Sequence, residues 1–82
     1  MILLIEDDTV LRENTAEILE LQDYEVITAP NGKIGIEKAI KHVPDIIICD
    51  IMMPEVDGYG VLQALSSNTE THHIPFIFLS AK

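Results

Sequence analysis

The feature that most constrains this chain is the stretch Ile46-Ile47-Ile48-Cys49-Asp50. Four apolar residues in a row, three of them β-branched, leave no side for water. A carboxylate follows at once. A strand with one wet face alternates apolar and polar residues, whereas a continuous apolar run is expected when helices cover both faces of a sheet. Sheets covered in that way are built from parallel strands joined by crossover helices. The run therefore predicts an α/β fold with this strand near its centre.

The rest of the chain supplies the alternation that such a fold requires. Ile2 to Ile5 reads as a second buried strand. Glu25 to Thr28, carrying Val26 and Ile27, reads as another, and Ile74 to Leu79 as a fourth, with Pro75 tolerated near its start. Three amphipathic stretches lie between them. Thr9 to about Leu21 places Leu11, Ile18 and Leu19 on one face and Arg12, Glu13, Glu17 and Glu20 mostly off it. Candidate caps for that helix are Asp8 and Thr9. About Lys33 to His42 reads as a helix, with Ile36, Ala39, Ile40 and Val43 at spacings i, i+3, i+4 and i+7, and Pro44 stops it. Gly58 to Ser66 points Val61, Leu62 and Leu65 inward. Asn68 to His73 is polar and reads as a loop.

Composition sets the outer limits. The chain has 82 residues, 48% of them apolar, which suits one small domain with a packed core. No apolar run approaches the roughly 18 residues that suggest a membrane span. Met1-Ile2-Leu3-Leu4-Ile5 has no basic leader, so it does not read as a signal peptide. The single cysteine, Cys49, cannot form an internal disulfide, and a cytoplasmic location is expected. Fourteen acids against five bases give a formal net charge of −9. That balance argues against binding to nucleic acid and to anionic membranes. It favours solubility, a basic partner or a cation.

In an open parallel sheet, ligands bind outside the carboxyl ends of the strands, where strand order reverses. The first strand delivers Glu6 and Asp7 to that edge, the third Asp50 and the fourth Ser80. Clustered carboxylates raise one another's pKa, and a divalent cation removes the conflict. Magnesium takes oxygen ligands, commonly one or two carboxylates with substrate phosphate. Zinc fits less well, because His72 and His73 sit on a distant loop and Cys49 points into the sheet. A carboxylate beside such an ion can attack phosphorus to give an aspartyl phosphate, and Asp50, aimed by the central strand, is the best nucleophile.

Taken together, these residues resemble the receiver domain of bacterial two-component response regulators. The resemblance is carried by Leu4-Ile5-Glu6-Asp7-Asp8, by Ile46 to Asp50, by Asp50-Ile51-Met52-Met53-Pro54 with Asp57-Gly58, and by Phe78-Leu79-Ser80-Ala81. These pieces span nearly the whole chain in the family's order. The resemblance implies a flavodoxin-like parallel sheet in the order 2-1-3-4, with three helices between four strands and residues 1–82 as one receiver portion. It implies Asp50 as phosphoacceptor and Ser80 as the switch hydroxyl. It implies that Glu6, Asp7, Asp50 and the backbone carbonyl of Met52 hold magnesium. Asp8 falls one past the acid pair and reads as a cap. The implied partner is a sensor histidine kinase or phosphotransfer protein.

The family's fold has five strand–helix units, and this sequence stops at the end of the fourth strand. The family lysine of the fifth strand and the last two helices are therefore expected to be absent, and Lys82 does not match that lysine. An uncovered fourth strand would invite self-association or strand exchange with a second copy.

Other functions fit less well. A hydrolase or phosphotransferase with an aspartyl-phosphate intermediate often has a second acid two residues after the nucleophile, where this chain has Met52. An EF-hand ending at Asp57-Gly58 would place Met53 at its first ligand position. A phosphate-independent pseudo-receiver or assembly module stays open, since the family lysine is missing. The expected class is a signalling module rather than a turnover enzyme. Cys49, Met52 and Met53 are expected to pack, His72-His73 to be exposed, and Tyr24 and Tyr59 to be half-buried.

Overall fold

The computed structural model describes residues 1–79. Its elements run β1 (Ile2–Ile5), α1 (Thr9–Leu21), β2 (Val26–Ala29), α2 (Gly32–His42), β3 (Ile46–Asp50), α3 (Gly58–Ser66) and β4 (Phe76–Leu79). The four strands form one parallel sheet in the order β2-β1-β3-β4. Ile5 lies opposite Ala29 on one side and Cys49 on the other, and Asp50 lies opposite Leu79.

Pleating divides the strands between two layers. Leu3, Ile5, Ala29, Ile47 and Cys49 join Ala39, Met53, Val61, Leu65 and Ile74 in the buried core, the layer filled by α2 and α3. Gly35 of α2 lies so close to β1 that a Cβ there would sit 2.5 Å from Cδ1 of Ile5. On the opposite layer, Ile2, Ile46 and Ile48 line a groove of about 330 Å³ with Leu19 and Tyr24.

Helix α1 orients differently from the expectation. Its half-buried residues are Arg12, Thr15, Ala16 and Leu19, and none is fully buried. Leu11 and Ile18, expected to face the core with Leu19, are exposed, as are Val10 and Leu21. The less exposed side of α1 carries Arg12, Thr15, Ala16 and Leu19, and its remaining large apolar residues, Val10, Leu11, Ile18 and Leu21, are exposed.

The other boundaries shift for local reasons. Strand β2 starts and ends one residue later than expected, with Ile2 N–H donating to the Glu25 carbonyl just before it. Helix α2 starts one residue earlier than expected, at Gly32, and ends at His42 as expected, where Val43 takes a left-handed conformation at φ 44° and Pro44 follows. Strand β4 begins at Phe76 rather than Ile74. Pro75 has no N–H to give, but its carbonyl accepts from Ile47 N–H at 2.9 Å and opens the ladder. Ile74 remains in the core as part of a turn, its N–H on the Thr71 carbonyl. The expected polar loop over 68–73 is a run of turns with one buried member, Thr71, whose hydroxyl donates to the Leu65 carbonyl at 2.7 Å.

Candidate functional site

The chain leaves β1 toward β2 on one side and reaches β3 on the other, so strand order reverses between β1 and β3. The carboxyl ends of those two strands open on a common crevice. Glu6 and Asp7 follow β1 directly, and Asp50 is the last residue of β3. One carboxylate oxygen from each of the three lies within 4.8 Å of the other two. Glu6 and Asp50 are buried and Asp7 is half-buried. The structure thus brings together three of the residues predicted for the site.

Local chemistry holds this cluster. Glu6 N–H donates to the Ala29 carbonyl at 3.1 Å, extending the ladder past the end of β1. Its carboxylate accepts from Asp8 N–H at 3.0 Å. Asp8 is the N-cap of α1, accepting from Leu11 N–H at 2.9 Å, as its place beside the acid pair suggested. Arg12, one turn later, donates from Nη1 to the Glu6 carbonyl at 2.9 Å. This residue was expected off the packed face; it is half-buried and bends back to the acid loop.

Across the crevice, Met52 N–H donates to Asp50 Oδ1 at 3.4 Å. The two methionines that follow Asp50 part company. Met53 packs in the core, whereas the Met52 side chain is 71% exposed beside the site, against the expectation that it packs. Glu55 passes through the left-handed region at φ 66° and turns the loop back toward the sheet. Asp57 then caps α3 through Gly60 N–H at 2.8 Å. Gly58 is needed for close approach: a Cβ there would stand 2.6 Å from the Asp50 carbonyl and 2.9 Å from Cα of Ile51. Its N–H donates to the Ile51 carbonyl at 2.9 Å. Tyr59, exposed like Tyr24 rather than half-buried, rests its ring 5.0 Å from that of Phe78.

Cys49 lies one residue before Asp50 and points the other way, fully buried. Burial pushes its thiol up to about 12, with the carboxylates of Asp50, Glu6 and Asp57 adding to the shift. It is a core residue with no accessible thiolate. Ser80, the predicted switch hydroxyl, lies outside the described residues.

The donor set suits a hard cation. All three side chains offer oxygen, the donor that magnesium takes. His72 and His73 are exposed on the 68–73 turns and contribute nothing to the cluster.

Comparison with known proteins gives the same architecture. The family described as response regulator receiver domain matches residues 2–82. A probable transcriptional regulator of Porphyra purpurea is 42% identical over 81 residues, which cover 99% of this chain and 39% of that protein. The N-terminal domain of a response regulator receiver protein from Methanoculleus marisnigri JR1 superposes with a TM-score of 0.94 at 32% identity, over 99% of this chain and 66% of that one. The receiver domain of a sensor histidine kinase from Pseudomonas aeruginosa PAO1, solved with a magnesium ion coordinated in its active-site cleft, gives a TM-score of 0.93 at 27% identity, over 99% and 66%. The chain spans 30% to 39% of the length of the transcriptional regulators that it matches.

Proposed function

The chain belongs to the response regulator receiver domain family, and from that premise we propose that it accepts a phosphoryl group on Asp50 from a histidine kinase or phosphotransfer protein. The observation that carries this reading is the meeting of Glu6, Asp7 and Asp50 within 4.8 Å at the strand-order reversal.

In this reading an Asp50 carboxylate oxygen forms a bond to phosphorus as the bond from phosphorus to the donor's imidazole nitrogen breaks. The electron pair goes to that nitrogen, and because the donor ring reacts with its other nitrogen already protonated, it leaves as neutral imidazole. Phosphoryl transfer depends chiefly on positioning and charge neutralisation. Asp50 is positioned by the rigid end of β3, by Met52 N–H and by the Gly58 contact behind its carbonyl. Bound magnesium would offset the negative charge of the carboxylates and the incoming phosphoryl oxygens. Glu6, Asp7, Asp50 and the Met52 carbonyl are the groups proposed to hold it. Ser80 is proposed to answer the new phosphoryl group with its hydroxyl. The output is a change of partner rather than repeated turnover of a substrate.

Among the described residues, no helix is long and apolar enough to cross a membrane, and the proposed setting is the cytoplasm. Self-association is a further proposed property. Among the described residues β4 pairs with β3 alone, and its Ile77 is exposed. Light scattering tests it, and a monodisperse monomer at high concentration counts against it.

The experiment for the main reading is intact-mass spectrometry with magnesium and acetyl phosphate, on the wild type and on Asp50→Asn. A gain of one phosphoryl group in the wild type alone is expected, lost on chelation. If the full-length protein gains no mass, the phosphate-independent pseudo-receiver reading replaces this one.

A further inference from the structure

We propose that Arg12 is a positioning residue of the cation site, which sets the orientation of Asp7 by holding the peptide between Glu6 and Asp7. The inference rests on the reading of Glu6, Asp7 and Asp50 as that site.

Glu6 N–H is fixed by the Ala29 carbonyl, and the Glu6 carbonyl is fixed by Arg12 Nη1 at 2.9 Å. A peptide unit is planar, so a bond to its carbonyl oxygen sets the tilt of the whole unit. The next atom along is the Asp7 nitrogen, and the Asp7 Cα–Cβ bond leaves from the edge of that plane. The guanidinium therefore governs the direction in which the Asp7 carboxylate enters the cluster.

The surrounding bonds make this grip firm. Asp8 N–H returns to the Glu6 carboxylate at 3.0 Å, and the Asp8 side chain caps α1 through Leu11 N–H. Arg12 N–H in turn donates to the Asp8 carbonyl at 2.9 Å. The loop from Glu6 to Arg12 is thus a closed circuit of hydrogen bonds with Asp7 inside it. Arg12 and the Asp8 cap both tie the circuit to the first turn of the helix, and Arg12 alone of the two reaches the Glu6 carbonyl. Arg12 is half-buried, which restricts the freedom of its guanidinium to leave the carbonyl.

A positioning role and a charge role predict opposite signs. A guanidinium beside a cation site repels the incoming ion, so if Arg12 acted only through its charge, removing it would tighten magnesium binding. If Arg12 aims Asp7, removing it weakens binding despite the lost repulsion.

The test is magnesium affinity by isothermal titration calorimetry on the full-length wild type, Arg12→Met and Arg12→Lys, with melting temperatures taken in chelator. Methionine keeps an apolar stem of similar length and loses the donor. Lysine keeps a donor within reach of the carbonyl. Positioning predicts that Arg12→Met weakens magnesium binding at least fivefold and that Arg12→Lys stays within about twofold of wild type. Equal or tighter binding in Arg12→Met overturns the proposal. So does a fall in its metal-free melting temperature with unchanged affinity, which marks Arg12 as a structural residue only. If the wild type binds no magnesium, the cation-site reading fails and the proposal falls with it, an outcome separate from a defect confined to Arg12→Met.

Discussion

Cys49 and Asp50 are neighbours with opposite fates, decided by the pleat of one strand. The Cys49 thiol, whose ordinary value lies near 9, is pushed up to about 12 in the fold. Its native form stays protonated while an unfolded chain begins to ionise above pH 9. Stability is therefore full below that pH and falls as pH rises from about 9 toward 12. Cys49→Ala should flatten this alkaline limb in denaturant titrations, and an unchanged slope would count against the shift. Iodoacetamide at pH 8 should leave native Cys49 unmodified under conditions that alkylate it in guanidinium. Gly58 offers a second prediction at this scale. A methyl group there meets the Asp50 carbonyl at 2.6 Å, and backbone cannot swing aside as a side chain can. Gly58→Ala should lose about 1–3 kcal/mol in urea unfolding, the usual cost of overpacking. A neutral result would mean that the loop gives way without strain.

The helices start where short acids stop the chain. Asp8 and Asp57 each accept an N–H from the third residue beyond, as does Asn31 in front of α2. Replacing Asp8 or Asp57 by alanine should cost about 1 kcal/mol each in chemical denaturation, and the losses should add, since the two caps serve different helices. A double variant that loses no more than either single one would contradict this. At this scale the sequence is a good guide where a signal is local. The apolar run ending in Asp50, the acid pair after Ile5, and the boundaries of β1, α1 and α3 are all set by residues close in the chain. It is a poor guide where tertiary contact decides. Leu11 and Ile18 look like core residues because they share spacing with Leu19, yet the less exposed side of the helix carries Leu19 with Arg12, Thr15 and Ala16 instead. Thr71 looks like any loop threonine until the carbonyl of Leu65 arrives beside it. The bond from Arg12 to Glu6 spans six residues with no periodic signature, and nothing in the sequence marks it.

At the scale of the molecule, charge and architecture pull against each other. A formal net charge of −9 on 82 residues repels itself, and three acids are gathered at one crevice. Cation binding to the folded form alone should therefore raise stability. At a free concentration ten times its dissociation constant, magnesium should contribute about 1.4 kcal/mol. For a domain of this size that corresponds to a rise of roughly 5–11 °C in melting temperature. Sodium chloride at matched ionic strength should give a smaller rise through screening alone. Asp7→Asn should lose the magnesium increment and keep the sodium one. Equal responses to the two salts would mean that the crevice holds no specific ion.

The alternation of β3 also bears on which changes of chain length the protein can survive. Removing a single codon from Ile46–Ile48 while the strand keeps its neighbours would carry Asp50 into the core position of Cys49, move the thiol to the opposite layer where Ile48 stands, and bring Ile51 to the crevice in place of the carboxylate. The turns over 68–73, most of whose residues are exposed, face no such parity rule. A deletion scan should find the strand intolerant at every codon and the exposed positions of those turns tolerant, so that a loss in frame for translation is still out of register for the sheet.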